Sequence, residues 1–220
     1  MKCSTVIVLG LLAIGVISLQ PVSGATGQAG NGWTTLFDGS SLDGWRVLGD
    51  ANWELLDGAV QADSGSGFLV TDDSYADFEL TLEFWVNEPA NSGIFIRCAD
   101  PQSVRDTNSY EVNIYDTRPD QTYRTGGIVH VASPTSVIDA GGRWNTYEIA
   151  AQGTRLTVTL NGTRLVEVED EQYADGPIAL QYGAGIVKFR NVRVRQLDGS
   201  AGATDETRGN ERLVVFALPD

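Results

Sequence analysis

Glu111, Asn113 and Tyr115 are polar residues that alternate with apolar ones in the stretch N-S-Y-E-V-N-I-Y-D, residues 108 to 116. In a β-strand, residues of alternate parity point to opposite faces, so the apolar set would enter a core while the polar set faces outward. A carboxylate, an amide and a phenol on one face can together hydrogen-bond a polar ligand. The stretch therefore predicts either a ligand site or an ordinary solvated strand face.

Arg97, His130 and Gln181 are polar residues of three other strand-like stretches. If the isoleucines of S-G-I-F-I-R enter the core, Arg97 emerges on the outer face and can be the cross-strand neighbour of Glu111. An Arg–Glu pair on a strand surface is often a solvated ion pair of little energetic consequence, and a lone histidine is often structural. Residue types alone leave both interpretations open.

Two polar segments, residues 98 to 108 and 116 to 125, connect these stretches. Both are longer than the roughly two to five residues that a tight hairpin loop needs, so they predict rim loops that deepen a sheet face into a pocket. We therefore predict that the side chains of Arg97, Glu111 and His130 lie on one sheet face and converge on a common point. The arginines that the rim loops contribute are Arg105, Arg118 and Arg124.

Several other catalytic chemistries lack the residues that they need. The chain has one histidine, no G-x-S-x-G nucleophile elbow, and no cluster with the spacing of a zinc or calcium site. Glycine-rich phosphate cradles are absent as well. The sequence therefore indicates no metal-binding residues and no cofactor, and it leaves a metal requirement open.

The remaining pattern predicts an all-β fold. Strict alternation of apolar and polar residues in residues 77 to 86 and 154 to 160 indicates strands with one buried face. Asn161-Gly162 predicts a tight hairpin, and a change of parity near Arg190-Asn191 predicts a β-bulge. About a dozen short strands with no sustained helical period favour two antiparallel sheets packed face to face, which offer a concave face for a ligand.

The ends of the chain predict its organisation and its compartment. Residues 1 to 24 combine a short basic start, an apolar run and small residues, the pattern of a secretory signal peptide. We expect a flexible leader over residues 25 to 32, one domain over 33 to 197, and a disordered tail with a short apolar end over 198 to 220. Cys98 then has no cysteine to pair with and is interpreted as a small buried residue.

The net charge of the chain excludes two classes of partner. The formal net charge is −14, which argues against nucleic acid and anionic membrane surfaces, because both require positive patches. We therefore expect no nucleic-acid partner and, once the signal peptide is removed, no membrane partner. The oligomeric state is left open by the sequence.

The stretch from Leu36 to Leu197 resembles the 3-keto-disaccharide hydrolase domain family. The resemblance rests on the order and spacing of seven short motifs. They are L-F-D-G-S-S-L-D-G-W (36–45), N-S-G-I-F-I-R (91–97), Y-E-V-N-I-Y-D (110–116), T-G-G-I (125–128), R-W-N-T-Y-E-I (143–149), G-P-I-A-L-Q (176–181) and V-K-F-R-N-V (187–192). It implies an exported β-sandwich of the concanavalin A type that acts on small sugars oxidised at C3.

The resemblance also implies roles for particular residues. Glu111 matches the family glutamate and is expected to remove the C2 proton, and Arg97 matches an arginine that would bind the enolate or a hydroxyl. His130 matches no family motif and is expected to be a third catalytic residue that compensates for a histidine missing at Gly183. The expected substrate-binding residues are Asn113, Tyr115, Asp116, Arg124 and Gln181.

The chain departs from the family pattern at two positions, and the one at Gly183 keeps a second function open. Many members carry a histidine where this chain has Gly183, and Asn113 stands where the family usually has glutamine. A non-catalytic carbohydrate-binding module is therefore an alternative to an enzyme. A protein-interaction sandwich is a third possibility that no feature besides the fold supports.

Overall fold

The computed structural model describes residues 32–197, which form thirteen β-strands and one short 3-10 turn, Gln121–Tyr123. The strands are β1 (Thr34–Phe37), β2 (Trp45–Gly49), β3 (Glu54–Leu56), β4 (Ala59–Ala62), β5 (Gly67–Thr71), β6 (Phe78–Val86), β7 (Ser92–Ile96), β8 (Tyr110–Ile114), β9 (Trp144–Gln152), β10 (Arg155–Leu160), β11 (Thr163–Glu169), β12 (Ala179–Tyr182) and β13 (Val187–Gln196). The predicted signal peptide, the leader up to residue 31 and the tail from residue 198 lie outside the described residues.

The strands form two antiparallel sheets, so the predicted all-β sandwich is confirmed. One sheet has eight strands in the order β11-β10-β9-β6-β13-β4-β3, with β1 paired to β13. The other has five strands in the order β2-β5-β12-β7-β8. The long strand β6 lies near the middle of the larger sheet, and β12 is the central strand of the smaller one.

The core lies between the sheets and is built from the alternating apolar residues. Every second residue of β6, from Phe78 to Val86, is buried, while the residues between them are partly exposed. Phe84 stacks on Tyr147 of β9 at 4.8 Å between ring centroids. From the smaller sheet, residues such as Ile94 enter the same core. Burying a side chain of this size contributes roughly 2 kcal/mol, so the period-two pattern is enough to fix which face of each strand points inward.

Two local predictions of backbone geometry are confirmed. Asn161 and Gly162 both have positive φ, at 50° and 79°, and they connect β10 to β11 in a two-residue hairpin turn. The register between β13 and β6 shifts between Arg190 and Arg193, where Asn191 has a φ of 53°. This is the bulge that the change of parity predicted.

Cys98 is fully buried beside the smaller sheet, and burial raises the pKa of its thiol to about 12. The thiol is therefore not reactive near neutral pH, which agrees with its interpretation as a small apolar residue. Between residues 32 and 197 no helix is long and apolar enough to cross a membrane.

Candidate active site

A cavity of about 600 Å³ opens on the outer face of the five-stranded sheet. Glu111 of β8 lies opposite Phe95 of β7 in the strand register, and both face away from the core that Ile94 and Val112 enter. The cavity is lined by Phe68, Asn91, Phe95, Val104, Arg105, Asp106, Glu111, Tyr115, Arg118, Pro119, Asp120 and Gln181. Of the residues predicted from the sequence, Glu111, Tyr115 and Gln181 are therefore brought together.

Glu111 is the carboxylate at the floor of this cavity. The residue is only 7% exposed, and burial raises the pKa of its carboxyl to about 7, with a further rise from the charge of Asp106 and an opposing effect of Arg118. Gly93 leaves room for it, because a Cβ at that position would stand 3.1 Å from the Glu111 side chain. A carboxylate with a pKa near neutrality is well matched to proton abstraction at physiological pH.

Asp106 is the acidic neighbour that the sequence did not single out. It lies in the loop between β7 and β8, and its Oδ2 is 3.1 Å from Nε2 of His130. His130 is exposed at the cavity rim with its ring 5.9 Å from that of Tyr123. The His130 imidazole therefore approaches the site through Asp106 and does not line the cavity itself.

The expectation that His130 lies on a strand is wrong. The segment around it runs along the edge of β8, where the N–H of Val129 donates to the carbonyl of Glu111, at 3.0 Å. Only isolated bridges form, such as Val112 with Ile128, and His130 itself has a φ of 65°. A residue with this backbone conformation ends strand pairing and turns its side chain away from the alternating pattern.

Arg97 does not face the cavity, which corrects the second predicted site residue. It follows β7 with a φ of 53°, so its side chain leaves the parity of the strand. The residue is 1% exposed. Its guanidinium donates to the main-chain carbonyls of Ala76, Gly153 and Tyr173 at 2.7–3.2 Å and pairs with Asp77 at 3.2 Å. Arg97 therefore ties three chain segments together, and the Arg97–Glu111 pair predicted from parity does not form.

Three of the predicted substrate-binding residues also lie outside the cavity. The first is Asn113, which is fully buried and donates from Nδ2 to the carbonyl of Tyr123. The second is Arg124, which donates to Gln121 and pairs with Asp139, in the loops beside β8.

Asp116 is the third of these residues, and its carboxylate organises the loop entry. It accepts hydrogen bonds from the hydroxyl of Thr125 at 2.6 Å and from the N–H groups of Ala140 and Gly141 at 2.7 and 2.9 Å. These bonds fix the segment that follows β8. The contribution of Asp116 is therefore to hold the wall of the site rather than to contact a ligand in the cavity.

The cationic groups at the cavity come from the two rim loops. Arg105 lies between β7 and β8, and Arg118 follows β8 with its guanidinium 6.0 Å from the ring of Tyr123. Arg118 is close enough to Glu111 to lower the pKa of that carboxyl. Gln181 adds an amide to the lining, and its Oε1 is shielded from solvent and has no hydrogen-bond partner in the part of the chain that the structure describes.

These groups support acid–base chemistry on a hydroxyl-bearing ligand. A carboxylate base, two guanidinium groups and an amide acceptor surround one space, so a proton can be removed and the resulting anion stabilised. Among residues 32–197, no group of three or more His, Cys, Asp or Glu side chains is placed to hold a metal ion.

Solved structures of other proteins share the fold of this chain. Solved structures of two Parabacteroides distasonis proteins, provisionally named glycosyl hydrolases, superpose with TM-scores of 0.68 and 0.65 at 20% and 26% identity. Each alignment covers 76% of this chain, and 95% and 100% of the respective structures. A carbohydrate-binding module, CBM66 of Bacillus subtilis, shares the fold with a TM-score of 0.54 at 17% identity, over 75% of this chain and 96% of the module.

A curated relative gives the nearest functional description among these comparisons. The 3-keto-disaccharide hydrolase of Bacteroides thetaiotaomicron is 30% identical over 104 residues, which is 41% of this chain and 36% of the relative. The chain therefore matches about a third of the length of that protein. Residues 32–195 match the model of the 3-keto-alpha-glucoside-1,2-lyase-like domain, which spans both sheets and every residue of the cavity. The chain belongs to the 3-keto-alpha-glucoside-1,2-lyase-like domain family.

Proposed function

We propose that the chain cleaves the glycosidic bond of 3-keto-glycosides, with Glu111 as the base that removes the C2 proton, and that it does so after export. The observation that carries the proposal is a buried carboxyl with a pKa of about 7 at the floor of a cavity. Family membership supports the choice of a sugar oxidised at C3. The apolar start of residues 1 to 24 supports export.

The chemistry follows from the acidity that a ketone gives to its neighbouring carbon. The carbonyl at C3 makes the C2 proton removable, and ionised Glu111 takes it to leave an enolate. The enolate electrons form the C1–C2 double bond and expel the aglycone oxygen from C1. That oxygen recovers the proton from the Glu111 carboxyl. Water then adds its hydroxyl to C1 and a proton to C2, so the net reaction is hydrolysis.

Arg118 and Arg105 take the part that the sequence assigned to Arg97. Both line the Glu111 cavity, whereas Arg97 is bound to main-chain carbonyls elsewhere. A guanidinium placed where negative charge develops stabilises the enolate more than the neutral ketone, and this difference lowers the barrier. The Gln181 amide is left to accept a hydrogen bond from a sugar hydroxyl.

Turnover on defined substrates tests the proposal directly. Purified protein should release free aglycone from 3-keto-trehalose, 3-keto-sucrose or simple 3-keto-glucosides, with a 3-keto-2-hydroxyglucal as the intermediate that chromatography detects. The same sugars without oxidation at C3 should not react, because their C2 proton is not acidic. If the protein releases no aglycone from any of these 3-keto substrates, the enzymatic proposal is wrong.

A carbohydrate-binding module is the second candidate, and the surroundings of Gly183 favour it. The N–H of Gly183 donates to the carbonyl of Asn91 at 2.9 Å, and a Cβ at that position would stand 2.9 Å from Asn91 Nδ2. The chain thus offers no imidazole at position 183. Calorimetric titration with oligosaccharides separates the two functions, since a module binds without release of aglycone.

Replacing Asp106 by asparagine is expected to move the acidic limb of the pH profile of kcat/KM to lower pH by roughly half a pH unit. A shift of this size is expected when one neighbouring charge that is partly solvated is removed. The negative charge of Asp106 raises the pKa of Glu111, so its removal lets the base ionise at lower pH. The measurement is kcat/KM against pH from 5 to 9. Glu171→Gln, at an exposed carboxylate outside the cavity, is the control and should leave the limb in place. A limb that stays fixed or rises in Asp106→Asn would contradict this coupling.

A further inference from the structure

A second cavity continues the Glu111 cavity across the same sheet face. Its volume is about 380 Å³, and it shares Phe68, Val104 and Gln181 with the first. The residues that line it are Leu48, Gly49, Ser66, Gly67, Phe68, Gln102, Ser103, Val104, Gln181, Tyr182 and Gly183. Because the two cavities share three lining residues, they form one groove, and Glu111 lies at only one end of it.

The strand order gives the length of this groove. Glu111 is on β8, and Leu48, which lines the second cavity only, is on β2, four strand spacings away in the order β2-β5-β12-β7-β8. With neighbouring strands ~4.8 Å apart, the two residues are separated by ~19 Å across the sheet. This exceeds the length of one pyranose ring, so a sugar whose C2 stands at Glu111 leaves the second cavity for the group attached to C1.

The two parts of the groove differ sharply in charge. The Glu111 cavity is lined by five charged residues, which are Arg105, Asp106, Glu111, Arg118 and Asp120. The second cavity has no acidic or basic residue in its lining, and its one titratable hydroxyl, that of Tyr182, donates to the carbonyl of Gly185 at 3.1 Å. A charged group placed there would lose water and meet neutral hydroxyl and amide groups but no opposite charge, which is costly.

An aromatic pair stands where the two cavities meet. Phe68 packs edge to face on Phe95, with 5.2 Å between ring centroids and 87° between planes, and Phe95 is directly opposite Glu111 in the strand register. Leu48 of β2 and Val104 of the rim loop complete the apolar wall beyond Phe68. Edge-to-face packing holds the ring of Phe68 in one orientation, so the ring presents a rigid apolar surface to the space for the aglycone.

We propose that this second cavity is the aglycone subsite and that it selects glycosides whose leaving group is uncharged and carries an aromatic or similarly flat apolar ring. The proposal rests on the proposed function for the identity of the reacting sugar. It goes further by stating which part of the substrate class the chain prefers. Anionic leaving groups, such as sugar phosphates, are disfavoured by the same walls.

Three 3-keto-glucosides with alkoxide leaving groups of similar basicity test the preference without a bias from leaving-group chemistry. They carry methyl, 2-phenylethyl and 2-(4-carboxyphenyl)ethyl aglycones, each in both anomeric forms. We expect kcat/KM for the phenylethyl compound to exceed that for the methyl compound about tenfold, as burial of one ring predicts. The carboxylate of the third compound should bring its kcat/KM back towards the value for the methyl compound. Equal values for all three compounds would overturn the subsite.

A filling variant ties the preference to this cavity. Ser103 lies in the lining of the second cavity but not of the first, so Ser103→Trp should reduce the phenylethyl-to-methyl ratio about tenfold. Ser136→Trp, the same change at an exposed residue outside both cavities, should leave the ratio as it is. A ratio that is unchanged in Ser103→Trp, in protein that unfolds at the wild-type temperature, would refute the assignment.

Binding of unreactive sugars keeps this test independent of catalysis. Calorimetry with 2-phenylethyl glucoside and methyl glucoside, neither oxidised at C3, should show about tenfold tighter binding of the first, and Ser103→Trp should remove the difference. If no 3-keto compound is cleaved, the proposed reaction fails while this comparison still decides the subsite. Equal affinities in the wild type would overturn it even when turnover is observed.

Discussion

Glu111→Gln is expected to lower kcat/KM on 3-keto-glycosides roughly 1,000-fold, because the amide fills the same space but cannot accept the C2 proton. The carboxylate faces a cavity, is nearly buried, and has a pKa of about 7. The residual rate should lose its dependence on pH below about pH 7, where the wild-type base becomes protonated. Single-turnover assays on the methyl 3-keto-glucoside measure both effects.

The same variant is expected to be more stable than the wild type above pH 7. Burial raises the pKa of Glu111 from 4.5 to about 7, so the folded state binds more protons than the unfolded chain between these values. Stability associated with this carboxyl is therefore fully present below the unfolded pKa and is lost as pH rises through the folded pKa. At pH 8 the glutamine variant should gain roughly 3 kcal/mol in free energy of unfolding.

Urea unfolding at pH 4.5 and pH 8 separates this effect from general changes in packing. The variant and the wild type should be similar at the lower pH and differ at the higher one. Glu171→Gln, on the surface, should show no such dependence. Full activity in Glu111→Gln would remove the base from the mechanism, and equal stability at pH 8 would show that Glu111 ionises without a cost.

The sequence was sufficient where the side-chain pattern and the backbone geometry agree. The alternation in β6 predicted a buried face, and the same reasoning on β8 placed Glu111 and Tyr115 on the outer side of the sheet. Asn161-Gly162 predicted its hairpin because a type I′ turn needs positive φ at both positions. These signals are local, so a single sequence contains them.

Sequence reasoning failed where one backbone angle interrupted the alternation. The φ of 53° at Arg97 and of 65° at His130 turn both side chains out of the expected series. Neither residue is glycine, and positive φ is uncommon for any other residue, so residue type did not predict a left-handed backbone at either position. Asn113 illustrates a different limit, since it has the predicted parity but is covered by the loop that contains Tyr123.

The electrostatics of the cavity depend on loops that carry no periodic pattern. Asp106 and Arg118 act in opposite directions on the pKa of Glu111, and they come from loops on either side of β8. The sequence indicated that these loops are long, polar and rich in arginine. It did not indicate which of their charges would turn towards the sheet, because that choice is set by contacts distant along the chain.

Arg97→Met is expected to cost the protein roughly 3–5 kcal/mol of stability, the range for removing one partner from a buried charge network. The buried guanidinium is the common donor to the carbonyls of Ala76, Gly153 and Tyr173, and its loss would remove all of these hydrogen bonds at once. For a domain of this size the melting temperature should fall by about 10 °C or more. Calorimetry or urea unfolding at pH 7 measures the loss.

Arg118→Met is the matched comparison, because it removes the same charge from the cavity rim rather than from the interior. Arg118 is partly exposed and makes no ion pair with another described residue within 4 Å, so its loss should change the melting temperature little. Because it lies beside Glu111, we expect kcat to fall roughly 100-fold as an enolate-stabilising group is lost. The two variants should thus separate, with Arg97→Met lowering stability and Arg118→Met lowering turnover. A stable Arg97→Met protein that has lost kcat would return the enolate-binding role to Arg97 and overturn the assignment made from its buried hydrogen bonds.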